Sequence, residues 1–412
     1  DIIGPLAGLE DLNADQKGYL GTAYVYRALM YHDVYNLYLP SVNKYADYSK
    51  VEGLTGPIIV SSAEQETEYK TARAPKEAMA AFVLSDLDKA EALFDGYTPA
   101  TGRFPGLSVV YGLKARMYLA MEDYANAATY ARKAIDASGK TPLTEAQWTD
   151  PTTGFNSGSS NNAWIWGFSL VAENLSNLLT FVSHMSSEAS WGYARYAQFG
   201  VSARLYDQIP DVDFRKHSWL DPKRTEYYNY KFAGTESDRD GFLNGSQGAK
   251  SYVALKFRPA QGECNDFNIG NAGDYCLMRI EEMYFIEAEA KANLQLTEGV
   301  KLLKEFMQEY RYKDYNRNPT TWNDFKTEYM LQKRVEFWGE GIVFFDYKRL
   351  DVGINRAFPG SNHPSVFRLG ATDGRSPQWN IVVTRAEFQS NTAIDDKTNN
   401  PDPSNKIPMA EE

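Results

Sequence analysis

The segment SVVYGLKARMYLAMEDYANAATYARKAID, Ser108 to Asp136, constrains the fold more than any other. Ala115, Ala127, Ala128, Ala131 and Ala134 recur at helical spacing, so two successive helices can approach closely along an alanine face. Tyr118 fills the space beside that face and Ile135 extends it, whereas Lys114 stands where an apolar residue is wanted. Elsewhere the three-four spacing returns. Tyr24, Ala28, Tyr31, Tyr35 and Tyr38 form one stripe, and a second helix is expected from about Pro75 to Phe94, with Pro75 at its start where a missing N–H costs nothing. Cys276, Ile280, Met283, Ala290 and Leu294 form another stripe with Glu287 in its middle, followed by a helix over Thr297 to Tyr310. Leu331, Val335, Trp338, Ile342 and Phe345 make the last stripe, which runs into RVEFWGEGIVFFDYKRL.

The small and aromatic positions of the Ser108–Asp136 pair match the tetratricopeptide pattern. The expected fold is therefore mainly α: tetratricopeptide-like helical hairpins, at least three of them, within a single domain spanning 1–412. The helical scaffold is expected over about 15–140 and 277–350. Between them, about 141–276 reads as a long loop-rich excursion with short strands, because Gly, Ser, Asn and aromatic residues dominate TTGFNSGSSNNAWIWGF and RTEYYNYKFAG. Residues 41–75 read as a loop with one short strand near GPIIV, and 351–412 as a C-terminal segment ending in coil.

A net charge of −11 argues against a nucleic-acid or anionic-membrane surface, which would need a basic patch. No apolar run reaches the roughly eighteen residues of a membrane-spanning helix. The chain opens at Asp1 with neither methionine nor signal sequence, which reads as a processed or truncated product. Twenty-eight tyrosines exceed what a core requires, since a buried phenol must find a hydrogen-bond partner, so many are expected at the surface. Cys264 and Cys276 share one loop, CNDFNIGNAGDYC, and either close it as a disulfide or remain free thiols. Asp266, Asn268 and Asp274 of that loop offer oxygen ligands to calcium but lack EF-hand spacing, and turn chemistry explains them as well. Otherwise no metal signature, phosphate loop, dinucleotide fingerprint or nucleophile elbow occurs, so no cofactor is expected.

Four segments together resemble the SusD/RagB family of surface nutrient-binding lipoproteins of Bacteroidetes. AYVYRALMYHDVYNLY resembles the family's Arg-Ala helix. MRIEEMYFIEAEA is similar to its Arg-x-x-Glu followed by Ala-Glu-Ala, here Arg279, Glu282, Ala288, Glu289 and Ala290. RVEFWGEGIVFFDYKRL is similar to the helix carrying Arg334, Glu336, Glu340, Gly341, Asp346 and Arg349, and WNIVVTRAEFQSN to the terminal segment with Glu387 and Asn391. Two departures stand out: the segment before the first helix is shorter than the family's, and its terminal-strand proline is missing from NIVVT.

The resemblance implies a non-catalytic binder of a glycan at the cell surface, held to the outer membrane by an N-terminal lipid anchor outside this sequence. It implies delivery to a SusC-like TonB-dependent outer-membrane transporter. A peptide ligand in the same role and a glycoside hydrolase are the rival readings. From the residues themselves, the binding platform is expected in the 141–275 excursion and the 40–73 loop. Trp191, Tyr193 and Tyr196 form one aromatic cluster, Tyr227, Tyr228 and Tyr230 a second, and Tyr45, Tyr48 and Tyr69 a third, with Arg73 and Asn43 as hydrogen-bonding companions. Arg334, Glu336 and Asp346 are read as structural charges pairing with neighbouring helices, not as an acid/base site.

Overall fold

A computed structural model describes residues 2–42, 45, 47–60, 70–159, 161–175, 177–223 and 232–405. The protein is mainly helical, with two small antiparallel two-stranded sheets among the described residues. It divides into two compact units built from interleaved segments: the first comprises 1–98, 113–123 and 342–412, the second 99–112 and 124–341.

In the first unit, helix α1 (Ala14–Tyr38) packs along α2 (Lys76–Leu93). Helix α1 starts at a capping box in which Asn13 and Gln16 exchange side-chain and backbone hydrogen bonds. Pro75 caps α2, as its fixed φ favours. Tyr24, Ala28 and Tyr35 of the expected stripe are buried, and Arg27 reaches across to Asp86 with two hydrogen bonds of 2.6 and 2.8 Å. Strands β1 (Leu54–Pro57) and β2 (Arg73–Pro75) pair beside this helix pair; β1 begins earlier than the GPIIV motif.

Helix α3 (Leu107–Ala120) runs through the boundary between the units, and α4 (Tyr124–Ser138) follows it. Ala115, Ala127, Ala128, Ala131 and Ala134 are all buried. Lys114, the misfit in the pattern, is buried too. Its ammonium binds Asp88 at 2.6 Å and also Glu91, so the cation is tolerated because α2 supplies two carboxylates.

In the second unit, α4 packs against α5 (Ile280–Leu294), which packs in turn against α6 (Leu296–Tyr310); α7 (Trp322–Glu336) touches both α5 and α6. Arg132 of α4 pairs with Glu287 in the middle of α5, which explains a carboxylate within an apolar stripe. Strand β3 (Trp164–Phe168) pairs with β4 (Tyr275–Arg279), so Cys276 lies on a strand and α5 begins only at Ile280. The excursion is more than loops. Val201, Leu205, Tyr206, Ile209, Trp219 and Ala254 form a core with Val335, and Leu220, Phe242, Leu243, Ala249, Val253 and Leu255 form another.

The stripe from Leu331 to Phe345 is not one helix. It breaks between α7 and α8 (Val343–Arg349), where Gly339 and Gly341 take φ of 78° and 85°, values that favour glycine. The break coincides with the passage of the chain from the second unit to the first.

Just before the break lies a buried cluster of charges. Glu336 is wholly buried, and its carboxylate accepts from Arg215 (2.9 Å), Arg279 (2.8 Å) and Arg311 (2.6 and 2.7 Å). Arg279 also binds Glu340 (2.8 and 3.0 Å) and Glu281 (3.0 Å), and Arg215 binds Asp213 (2.7 Å). Lys256 donates to Glu340 (2.6 Å) and to the Glu336 carbonyl (2.8 Å). Burial alone would raise the Glu336 carboxyl, but Arg311 and Arg279 hold it well below the usual range. Burial lowers Lys256 to about 8.

Replacing Glu336 by Gln leaves three buried guanidinium groups short of their shared anion. The expected loss is about 3–5 kcal/mol in denaturant unfolding, the cost of breaking a buried ion pair. Because the folded-state pKa is depressed, this contribution is present above the unfolded value of about 4.3 and lost as pH falls towards the folded one. A loss below about 1 kcal/mol would contradict the assignment.

Candidate functional site

Two surface features of the second unit share one loop, residues 259–275. The first is a polar cleft of about 400 Å³. Asn156 ties its floor together: its amide donates to the Arg258 carbonyl (2.8 Å) and accepts from the Arg258 N–H (3.0 Å), while its own carbonyl accepts from Asp274 N–H (3.1 Å). Asp274 in turn accepts from the N–H groups of Gly158 (2.9 Å) and Leu170 (3.2 Å). Burial raises the Asp274 carboxyl despite those bonds. Thr152 and Thr153 line the mouth in a turn closed by Asp150, which accepts three hydrogen bonds of 2.8 Å and is lowered to about 2 by these donors, against the opposing effect of burial. Arg258 beneath the cleft is paired with buried Glu188. Gln261 on the rim has φ of 57°, sparsely populated for a residue with a side chain. Hydroxyls, amides and backbone groups on a fixed frame present donors and acceptors suited to a hydroxyl-rich ligand.

The second feature is an aromatic shelf. Trp191 is half-buried, edge-on to Phe267 at 5.7 Å and 82°. Gly270 makes room for it: a Cβ there would lie 2.9 Å from the Trp191 ring and 2.1 Å from the Glu263 carbonyl oxygen. Ser190 binds the Cys264 carbonyl through its N–H (2.9 Å) and its hydroxyl (3.0 Å), which fixes the strip to the 259–275 loop. Beyond it, Tyr193 is 43% exposed and lies over His184 at 4.8 Å, and Tyr196 is 68% exposed. The His184 Nδ1 donates to the Thr180 carbonyl at 2.7 Å, which orients the ring supporting Tyr193.

Other expected site residues fall differently. Tyr48 is wholly buried, donating to the Pro377 carbonyl at 3.3 Å, and belongs to the core of the first unit. Arg73 is buried as well. Its guanidinium donates to the carbonyls of Thr55, Leu54, Tyr38 and Thr398 and to the Asn400 side chain, at 2.6 to 3.1 Å, so it braces the strand pair against the C-terminal segment rather than facing a ligand. Tyr45 is half-buried, its hydroxyl accepting from Asp373 N–H at 3.4 Å. Asn43, Tyr69, Tyr227, Tyr228 and Tyr230 lie outside the described residues. Asp266 accepts from the Asn268 N–H (2.8 Å) as the cap of a short helix, and Asp274 serves the cleft, so the two carboxylates are engaged separately. Among the described residues, no three metal-ligating side chains converge. Both cysteines are free thiols; Cys264 is buried and donates to the Ala233 carbonyl. The cleft itself escaped sequence reading: only the Gly/Ser/Asn-rich strings at 152–162 and 268–274 signalled it.

No protein-family model matches the chain, and no curated protein matches it by sequence. Solved structures do. A SusD-like carbohydrate-binding protein from Bacteroides vulgatus superposes with a TM-score of 0.70 at 21% identity, covering 95% of this chain and 80% of that one. A SusD superfamily protein from Bacteroides thetaiotaomicron gives 0.71 at 19% identity, with 97% and 82% covered. A second SusD superfamily protein from Bacteroides vulgatus gives 0.69 at 18% identity, with 95% and 79% covered.

Gly270→Ala is expected to destabilise the protein by about 1–3 kcal/mol, because backbone blocks the added methyl. Tyr196→Ala at the exposed end should stay within about 0.5 kcal/mol. Denaturant titration checks both, and a neutral Gly270→Ala would contradict the described seat of Trp191. The chain has the fold of the SusD-like proteins.

Proposed function

We propose that this protein is a non-catalytic glycan binder that uses the polar cleft for hydrogen bonds and the Tyr193–Tyr196 shelf for stacking on sugar rings. The observation that carries this reading is one loop that both lines a polar cleft and holds, through Ser190 and Trp191, the strip that goes on to two exposed tyrosines, on a fold held in common with a carbohydrate-binding protein. Pyranose C–H faces stack on flat rings while their hydroxyls need donors and acceptors, and the two features supply one requirement each.

The proposed setting is the outer face of an outer membrane, with a lipid anchor upstream of Asp1 and a SusC-like TonB-dependent transporter as partner. No helix among the described residues is long and apolar enough to cross a membrane, so ligand import calls for such a barrel. Catalysis is not part of the proposal. Glu336, within the motif segment, is sealed among arginines that hold its carboxyl well below the usual range, which suits neither a general acid nor access to substrate.

A glycan array beside a peptide library identifies the ligand, and calorimetry on the Tyr193→Ala/Tyr196→Ala double variant tests the site. Each ring is expected to contribute about 1 kcal/mol, so binding weakens roughly tenfold or more. Parent-like binding by the folded double variant overturns the site, a peptide-only response overturns the ligand class, and reducing-end release that survives repurification overturns non-catalysis.

A further inference from the structure

Within the first unit lies a cavity of about 220 Å³, whose lining includes Lys76, Lys348, Arg349 and Arg375 with Glu122 as the single carboxylate, together with apolar Leu39 and Phe345. Lys348 is 4% exposed. Its ammonium donates to the carbonyls of Asn36 (2.5 Å) and Leu37 (2.7 Å), at the C-terminal end of α1. Such carbonyls attract a cation, which accounts for two of its three N–H bonds. No carboxylate among the described residues pairs with it. Buried Lys114, Arg215, Lys256, Arg279 and Arg311 each hold at least one carboxylate, whereas Arg73 is held by carbonyls and a side-chain amide that occupy both ends of its guanidinium. A buried cation without a counter-ion is costly, and the cavity is where a counter-ion fits.

The charges facing Lys348 are mostly of its own sign. Arg375 donates to the Lys348 carbonyl at 3.2 Å, while Asp351 accepts from the Arg375 N–H at 2.8 Å; Asp346 is paired with Arg349 at 3.0 Å on the same helix. Lys76 and Glu122 border the cavity from α2 and from the end of α3, and the phenol of Tyr35 borders it from α1. Burial and the nearby Arg375 together lower Lys348 to about 7. The backbone is strained at the same place. Of the four described non-glycine residues with positive φ, Glu122 (60°) lines this cavity and Asp351 (49°) faces Arg375. Sparsely populated conformations persist where the surroundings enforce them, and they gather at ligand sites.

We propose that this cavity binds a small organic carboxylate, its carboxyl group completing the coordination of Lys348 and its carbon skeleton against Leu39 and Phe345. The four cations of the lining call for an oxyanion, and its apolar residues favour one with a carbon skeleton over sulfate or phosphate. The volume lies below the roughly 300–1,000 Å³ typical of drug-sized ligands, so the occupant is a free small acid or the acidic end unit of a larger molecule. The inference is independent of the glycan reading, whose cleft is built from other residues.

The test is calorimetry on the full chain with glucuronate, its methyl glycoside, glucose as the neutral counterpart and inorganic sulfate, at about pH 6 and pH 8.5, in buffers of differing ionisation enthalpy. A carboxylate stabilises the charged form of Lys348, so binding near pH 7 is expected to take up a proton. Affinity should fall roughly tenfold or more as pH rises and the lysine loses its charge. Lys348→Gln should abolish the proton uptake; should that variant not fold, the buffer dependence of the parent protein still decides. Equal binding of the glycoside and the free acid marks an acidic end unit, and preference for the free acid marks a small metabolite. Both support the proposal. Binding of glucose as tight as glucuronate, a response to sulfate alone, carboxylate binding without proton uptake, or no binding at millimolar concentration would overturn it.

Discussion

A carboxylate with no access to water dictates how the second unit is assembled. Glu336 is shared by Arg215 from the excursion, Arg279 from the end of β4 and Arg311 from the end of α6, and Glu340 and Lys256 close the arrangement. The attraction within such a cluster is largely offset by the cost of drying the charges, so its net stabilisation is modest. Its geometric demand is not modest. Each of the four cations tolerates only an arrangement that supplies its carboxylate, and misplacing any segment leaves a bare buried charge. The rings of Phe337, Trp148 and Phe155 pack around the guanidinium of Arg279 at 4.2 to 5.5 Å and exclude water from it. The excursion is thereby fixed to the helices at its interior, and its outer loops carry the cleft and the shelf.

Much of this was legible in the sequence. Glu336 stands out because a charge interrupts an apolar stripe, and it does pair with other elements, with Arg279 57 residues away and with Arg311 at the end of α6, whereas Asp346 pairs with Arg349 on its own helix. The burial of Ala115, Ala127, Ala128, Ala131 and Ala134 was legible because small residues at helical spacing have few other uses. The break after Glu336 was not. A three-four spacing runs through Leu331, Val335, Trp338, Ile342 and Phe345 whether or not the helix continues, and only Gly339 and Gly341 mark the turn. The cores of the excursion were also missed, since Val201, Trp219 and Val335 meet through non-local contacts that no local period encodes.

The site was legible in part, and for physical reasons. Tyr193 and Tyr196 lie in a glycine- and serine-rich strip and are exposed, whereas Tyr48 lies in a polar, charged segment and is nonetheless buried, because the Pro377 carbonyl, 329 residues away, satisfies its phenol. Arg73 misled in the same way: backbone carbonyls from distant segments engage its guanidinium, and carbonyl positions leave no trace in residue type. The cleft needs Asn156, Arg258 and Asp274 brought together, and none of them is unusual alone. Lys348 is the converse case, an ordinary surface residue by sequence that the fold buries without an anion.

Hydrogen–deuterium exchange with and without the glycan selected by the array tests most directly whether a rigid interior presents these loops as the binding face. The account predicts slowed exchange confined to residues 152–159, 190–199 and 258–274. The amides of β4 and α7 around the Glu336 cluster should be among the slowest in the free protein and unchanged on binding. Protection that leaves those three loops untouched, or fast exchange through β4 and α7 in the free protein, would contradict it.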